Sequence, residues 1–138
     1  IRIYLDLQDK SVRRLDLFIQ EIIDLSRNAR QEVAVEAINF HDLVNEILET
    51  YAYMPEFRQT KKIIEIEQPH NFYSDSKRLK MILGNLVSNA MRYHLEWSQE
   101  KWVKISIKTS PEQATIEVSD NGMGIAAVHL PFIFDMFY

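Results

Sequence analysis

Apolar residues recur along this chain with two different periods, and the changes of period divide it into elements. Up to about residue 30 the spacing is helical. Leu15, Phe18, Ile22 and Leu25 follow at intervals of three, four and three, and Ile1, Leu5, Val12 and Ile19 widen the stripe. The stretch holds no proline or glycine, so it predicts one helix about 45 Å long, too apolar along one side to stand alone. The charged residues from Arg27 to Glu36 form a linker. A short strand is expected at Ala37–Phe40, followed by a helix burying Leu43, Val44, Ile47, Leu48 and Tyr51. A period of two then appears at Lys61–Glu67, where Ile64 and Ile66 alternate with Glu65 and Glu67. It returns at Trp102–Thr109 and at Ala114–Ser119, where Ala114, Ile116 and Val118 alternate with Thr115, Glu117 and Ser119. Ser110-Pro111-Glu112 joins these last two strands, because proline has no N–H to give a ladder. Between the strands, Asp75 to His94 is helical, with Leu79, Leu83, Leu86, Val87 and Ala90 on one side. Helices interspersed with a mixed sheet predict an α+β fold: a two-layer α/β sandwich, one sheet face covered by helices, preceded by the long helix.

Two polar constellations stand out against this pattern. On the Asp75–His94 helix, Asn85, Asn89 and Arg92 form a narrow row, with Arg78 in line two turns earlier and Ser88 flanking. Asparagine is a poor interior helix residue, since its amide competes with the backbone for hydrogen bonds. Two of them at i and i+4, joined by Arg at i+7, read either as a solvated face or as a row aimed at a ligand. An amide oxygen suits Mg²⁺, and a guanidinium fork suits phosphate oxygens. The second constellation is Asp120-Asn121-Gly122-Met123-Gly124, which follows a strand and holds two of the three glycines. It reads as a tight surface turn, or as a site where a ligand approaches bare backbone while the Asp carboxylate accepts from a donor edge.

Together the two segments resemble the nucleotide-binding signatures of sensor histidine kinases, in the superfamily that includes gyrase, heat-shock chaperone and mismatch-repair ATPases. Asn85-Leu86-Val87-Ser88-Asn89-Ala90-Met91-Arg92-Tyr93 resembles the family's N-box, and Asp120-Asn121-Gly122-Met123-Gly124-Ile125 its first glycine box. Pro131-Phe132-Ile133-Phe134-Asp135-Met136-Phe137-Tyr138 resembles the phenylalanine box that leads into the ATP lid. Three motifs in this order and spacing are specific. The resemblance implies a histidine kinase-type ATPase fold that binds ATP and Mg²⁺. It implies that Asn89 holds the metal, Asn85 lies beside the triphosphate, and Arg92 and Tyr93 line the phosphate and ribose side. Asp120 would accept from the adenine amino group, Gly122 and Gly124 would let the backbone close around the base, and Phe134 and Phe137 would pack to anchor the lid. The superfamily's ATPases carry Glu where this chain has Asn85. An amide has no basic lone pair for proton abstraction, so transfer to a protein histidine is favoured over hydrolysis.

The same resemblance divides the chain into residues 1–30, the second helix of a dimerisation and phosphoacceptor hairpin, a linker at 31–37, and an ATP-binding domain at 38–138. The expected partners are a second copy, joined through the N-terminal hairpin, and the receiver domain of a response regulator. The family's phosphoacceptor box is not found around His41, His70, His94 or His129, no residue is assigned as catalytic, and the later glycine box is absent. The chain begins at Ile1, so it is expected to be part of a longer kinase. Without the lid and the later glycine box, which the resemblance gives to the phosphate site, it is expected to bind nucleotide weakly or not at all by itself. Two other classes stay open: a superfamily ATPase or serine-directed anti-sigma-type kinase, and a non-catalytic signalling module.

Composition narrows the field further. A 138-residue chain with 46% hydrophobic residues can bury a real core. A net charge of −4 without a basic cluster gives no footprint for nucleic acid. The absence of cysteine excludes disulfides and thiolate metal sites and fits a reducing cytoplasm. No apolar run reaches 18 residues, so no membrane segment is expected in this chain, and an anchor elsewhere in the parent stays open.

Overall fold

The computed structural model describes residues 15–16, 19–20, 22–23, 26–27, 32–93 and 100–135. The chain divides into two compact units, residues 34–127 and a second made of 1–33 with 128–138. In the second unit the described residues from 15 to 27 are all helical. Leu15, Ile19, Ile22 and Ile23 among them leave 38–58% of their surface exposed. Near its other end a 3-10 turn spans Leu130–Phe132, and Phe132 N–H donates to His129 O at 3.0 Å.

The described residues of 34–127 form five strands and three helices: β1 (Val35–Ala37), α1 (Phe40–Tyr51), α2 (Pro55–Gln59), β2 (Thr60–Glu67), β3 (Tyr73–Asp75), α3 (Ser76–Arg92), β4 (Lys101–Thr109) and β5 (Ala114–Asp120). The order in the main sheet is β2-β4-β5, with β2 parallel and β5 antiparallel to β4. Parallel strands need a crossover, and β3 with α3 supplies it. β1 and β3 pair as a separate antiparallel ribbon.

The alternation expected from the sequence sets the two faces of the sheet. Val103, Ile105 and Ile107 are 1% exposed. In register they pair with Asp120, Val118 and Ile116 on β5. This face packs against Leu83, Val87, Ala90 and Met91 of α3 and Phe40, Leu43, Val44 and Ile47 of α1. On the opposite face Lys104 pairs with Glu65 at 3.0 Å and Lys108 with Glu67 at 3.9 Å. Helices on one face and ion pairs on the other make the two-layer α/β sandwich.

Four local readings are corrected. The first strand falls at Val35–Ala37 and not Ala37–Phe40, because Asn39 caps α1 by accepting from Asp42 N–H at 3.2 Å and Phe40, fully buried, begins the helix. α2 and β3 were not expected; β3 is three residues long and is defined by its pairing with β1. Leu86 is 47% exposed. Val87, at the centre of the buried stripe, is 0% exposed, and one residue step turns Leu86 about 100° away from it. Lastly, Arg78 does not extend the polar row as a free cation, because its guanidinium pairs with Asp75 at 3.3 Å.

Candidate functional site

The N-terminus of α3 is built on Asp75. Its carboxylate accepts from Arg78 N–H at 3.0 Å and from Ala34 N–H at 3.1 Å, which fixes the helix start and the chain entering β1. Those two N–H donors, with the Arg78 charge adding to them, hold the Asp75 carboxyl below the usual carboxylate range. Further along, Gly84 is buried, and a Cβ there would meet the Tyr51 hydroxyl at 3.2 Å. The glycine lets α1 and α3 close on each other. Ser88 is also buried and donates to the Asn85 carbonyl at 3.1 Å.

The opposite side of α3 carries Asn85, Asn89 and Arg92, all exposed, with Tyr93 just beyond at 58% exposure. Neither Asn85 nor Asn89 spends its side-chain amide on a hydrogen bond among the described residues. A mid-helix amide with an unused carbonyl oxygen is a suitable hard donor for Mg²⁺ completed by phosphate and water oxygens. The donor chemistry fits the metal.

The last turn of α3 meets the glycine turn directly. Tyr93 N–H donates to Asn89 O at 3.1 Å, closing the helix, and Tyr93 O accepts from Met123 N–H at 2.9 Å. Between them lies Gly122: a Cβ there would stand 2.3 Å from Tyr93 O and 2.7 Å from Asp120 Oδ1. Only glycine fits under that carbonyl. Gly122 N–H also donates to Asp120 Oδ1 at 2.7 Å. Gly124 serves for another reason, since its φ of +69° lies in the left-handed region and a Cβ would meet nothing within 4 Å.

Asp120 ends β5 opposite Val103, and alternation places it on the helix-covered face. The helix that carries the polar row and the turn that follows Asp120 thus meet across the two layers, joined by the Tyr93–Met123 hydrogen bond. What pattern reading missed here is Asn121, whose amide spans two backbone groups of the β4 approach. Its signal lay in a side chain able to imitate a peptide group, invisible without the partner strand.

The remaining candidates divide. Phe134, expected to pack as a lid anchor, is 96% exposed and packs on nothing among the described residues. Its turn is held by local bonds such as Asp135 N–H to Phe132 O at 2.9 Å. Phe137 and His94 lie outside the described residues. An open cavity of about 170 Å³ lies at the other end of α3, lined by Glu36, Asn39, Asp42, Glu46, Ser76 and Lys80, among others. Its only cation, Lys80, pairs with Glu46, so the lining is net acidic and suits no phosphate. Among the described residues no group of three His, Cys, Asp or Glu could hold a metal, and no helix is long and apolar enough to cross a membrane.

Residues 74–138 match the family described as histidine kinase-, DNA gyrase B-, and HSP90-like ATPase. The chain is 24% identical over 132 residues to the sensor histidine kinase YxdK of Bacillus subtilis, covering 94% of this chain and 40% of YxdK. It therefore spans less than half the length of that relative. Among solved structures, the histidine kinase ThkA in complex with the response regulator protein TrrA superposes with a TM-score of 0.71. The identity is 22%, over 98% of this chain and 39% of ThkA. Full-length ShkA in complex with AMPPNP gives a TM-score of 0.67 at 17% identity, over 93% and 28% of the two chains.

Proposed function

Residues 74–138 match the family of histidine kinase-, DNA gyrase B- and HSP90-like ATPases, and the chain is similar to sensor histidine kinases; we propose that it is the ATP-binding region of such a kinase and that its parent transfers phosphate from Mg-ATP to one of its own histidines. The observation that carries this reading is the hydrogen bond from Met123 N–H to Tyr93 O. It holds the two nucleotide-binding motifs against each other at one edge of the domain.

Each residue has a part in this reading. Asp120 accepts from the adenine amino group, and Gly122 and Gly124 keep the backbone bare beside the base. The Asn89 amide oxygen holds Mg²⁺, Asn85 lies beside the triphosphate, and Arg92 and Tyr93 line the phosphate and ribose side. When bound, the metal neutralises charge on the phosphate oxygens. Arg92 adds positive charge there, and the rest of the work is positioning. Asn85, an amide where the related ATPases carry a carboxylate, offers no base to activate water. Hydrolysis is the disfavoured branch.

The wider assignment rests on the relatives. Residues 1–30 act as the second helix of a dimerisation hairpin, 31–37 as linker and 38–138 as ATP-binding domain. A homodimer then presents the γ-phosphate to the acceptor histidine, and the receiver domain of a response regulator takes it onward. The TrrA complex of ThkA supports that partner, and the AMPPNP complex of ShkA supports the nucleotide. The region is placed on the cytoplasmic side, where ATP is found.

The test is autophosphorylation of the full-length protein with γ-labelled ATP and Mg²⁺. Asn89→Ala should abolish the label while the melting temperature stays within a few degrees, because exposed positions tolerate substitution to within about 0.5 kcal/mol. Label persisting at the wild-type rate would overturn the metal assignment.

A further inference from the structure

The end of β5 is held in an unusual way. Val103 pairs with Asp120, so the next rung of the antiparallel ladder would pair Trp102 with Asn121 backbone to backbone. The Asn121 side chain takes the Trp102 N–H of that rung and reaches past it to the carbonyl of Glu100. Its Oδ1 accepts from Trp102 N–H at 2.9 Å, and its Nδ2 donates to Glu100 O. A carboxamide has the donor and acceptor of a peptide group at nearly the same separation, so it can substitute for one in a ladder. The Asn121 main chain is thereby released from the sheet one residue early. It turns toward α3, where Met123 N–H reaches Tyr93 O. Without the strap, β5 would either continue along β4 or fray at Asp120.

We propose that Asn121 is a positioning residue for purine selection: it locks the end of β5 so that Asp120 presents its carboxylate to the base at one fixed place. This inference rests on the assignment of Asp120 as the acceptor for the adenine amino group. Asn121 itself is exposed and acts across 19 and 21 residues of sequence, on backbone groups that precede and begin β4. Its task is geometric. A hydrogen bond to a base edge discriminates only while its protein partner is held in position. Loss of the strap therefore removes what the amino group contributes and leaves phosphate binding in place.

The experiment compares ATP with ITP, whose base carries an oxygen where adenine has its amino group, in equilibrium binding to the full-length protein. The wild type should prefer ATP. Asn121→Ala should weaken ATP binding about tenfold or more and leave ITP binding within about twofold, with a melting temperature lowered by less than about 8 °C. Amide exchange at Trp102 should accelerate in the same variant. Asp120→Asn tests the underlying assignment, because it should collapse the same preference. If Asp120→Asn collapses the ratio and Asn121→Ala keeps it at the wild-type value, the strap proposal is overturned and the site assignment stands. If Asp120→Asn keeps the ratio, the assignment of Asp120 fails and the proposal goes with it. Should Asn121→Ala fail to fold, Asn121→Asp decides, since it keeps the acceptor for Trp102 N–H and loses the donor to Glu100 O. Its added charge repels both nucleotides alike. A reduced ratio in Asn121→Asp supports the strap, and a wild-type ratio overturns it.

Discussion

The carbonyl oxygen of Tyr93 lies 2.3 Å from where a Cβ on Gly122 would stand. The end of α3 and the turn after β5 are therefore in backbone contact, with a hydrogen bond beside it from Met123 N–H to Tyr93 O. The geometry separates the two glycines of the turn: Gly122 answers to a neighbour, Gly124 to its own φ.

That separation is measurable. Gly122→Ala should destabilise residues 34–127 by about 1–3 kcal/mol and speed amide exchange at Met123, because the carbonyl must move away. Gly124→Ala should lose about 1–2 kcal/mol to left-handed backbone strain and leave Met123 protected. Denaturant melts with residue-resolved hydrogen exchange check both. Equal exchange at Met123 in the two variants would contradict the seam.

In the proposed function Asn85 sets the branch between transfer and hydrolysis. Asn85→Glu supplies a carboxylate at the place where the related ATPases carry one. It should raise Mg²⁺-dependent release of inorganic phosphate by about tenfold or more, the lower part of what a general base contributes. A phosphate-release assay on the full-length protein at matched nucleotide occupancy reads this directly. An unchanged rate would mean that position 85 does not face the attacking water.

Acid should act through Asp75. Its carboxyl binds a proton less tightly in the folded chain than in the unfolded one, since Arg78 N–H and Ala34 N–H both donate to the charged form. Stability from this group is present above the ordinary carboxylate value and is lost as pH falls through the lower folded value. Urea titrations from pH 6 down to pH 2 should therefore show the wild type losing stability below about pH 4. Asp75→Asn, already lacking the charge, should show a shallower decline. Parallel curves would remove Asp75 as the source.

On α3, Leu83 and Leu86 sit three residues apart and should answer truncation differently. Leu83, 2% exposed, lies in the core, and Leu83→Ala should remove about 2–5 kcal/mol. Leu86, 47% exposed, should lose less than about 1 kcal/mol on the same change. Chemical denaturation of the two variants decides it. Similar losses would restore Leu86 to the buried stripe.

What the sequence determined unaided was everything with a local period. Alternation in β5 identified its inward face at Ala114, Ile116 and Val118, and the register with Val103 adds Asp120. Helical spacing found α1 and α3 because their buried faces repeat every three or four residues. The polar row and the glycine turn suggested a nucleotide site through their resemblance to the motifs of a known family. Tertiary structure alone decided the features whose partners lie far away in the chain. Tyr93 meets Met123 and Gly122 across about thirty residues, Asn121 straps Glu100 and Trp102, and Val35 becomes a strand by pairing with Asp75. Leu86 looked buried in a pattern and is half exposed, because the sheet and α1 fix which part of a broad apolar arc is covered. A local period records which side of an element is apolar, whereas hydrogen bonds between distant backbone groups leave no period and exist only once the layers have met.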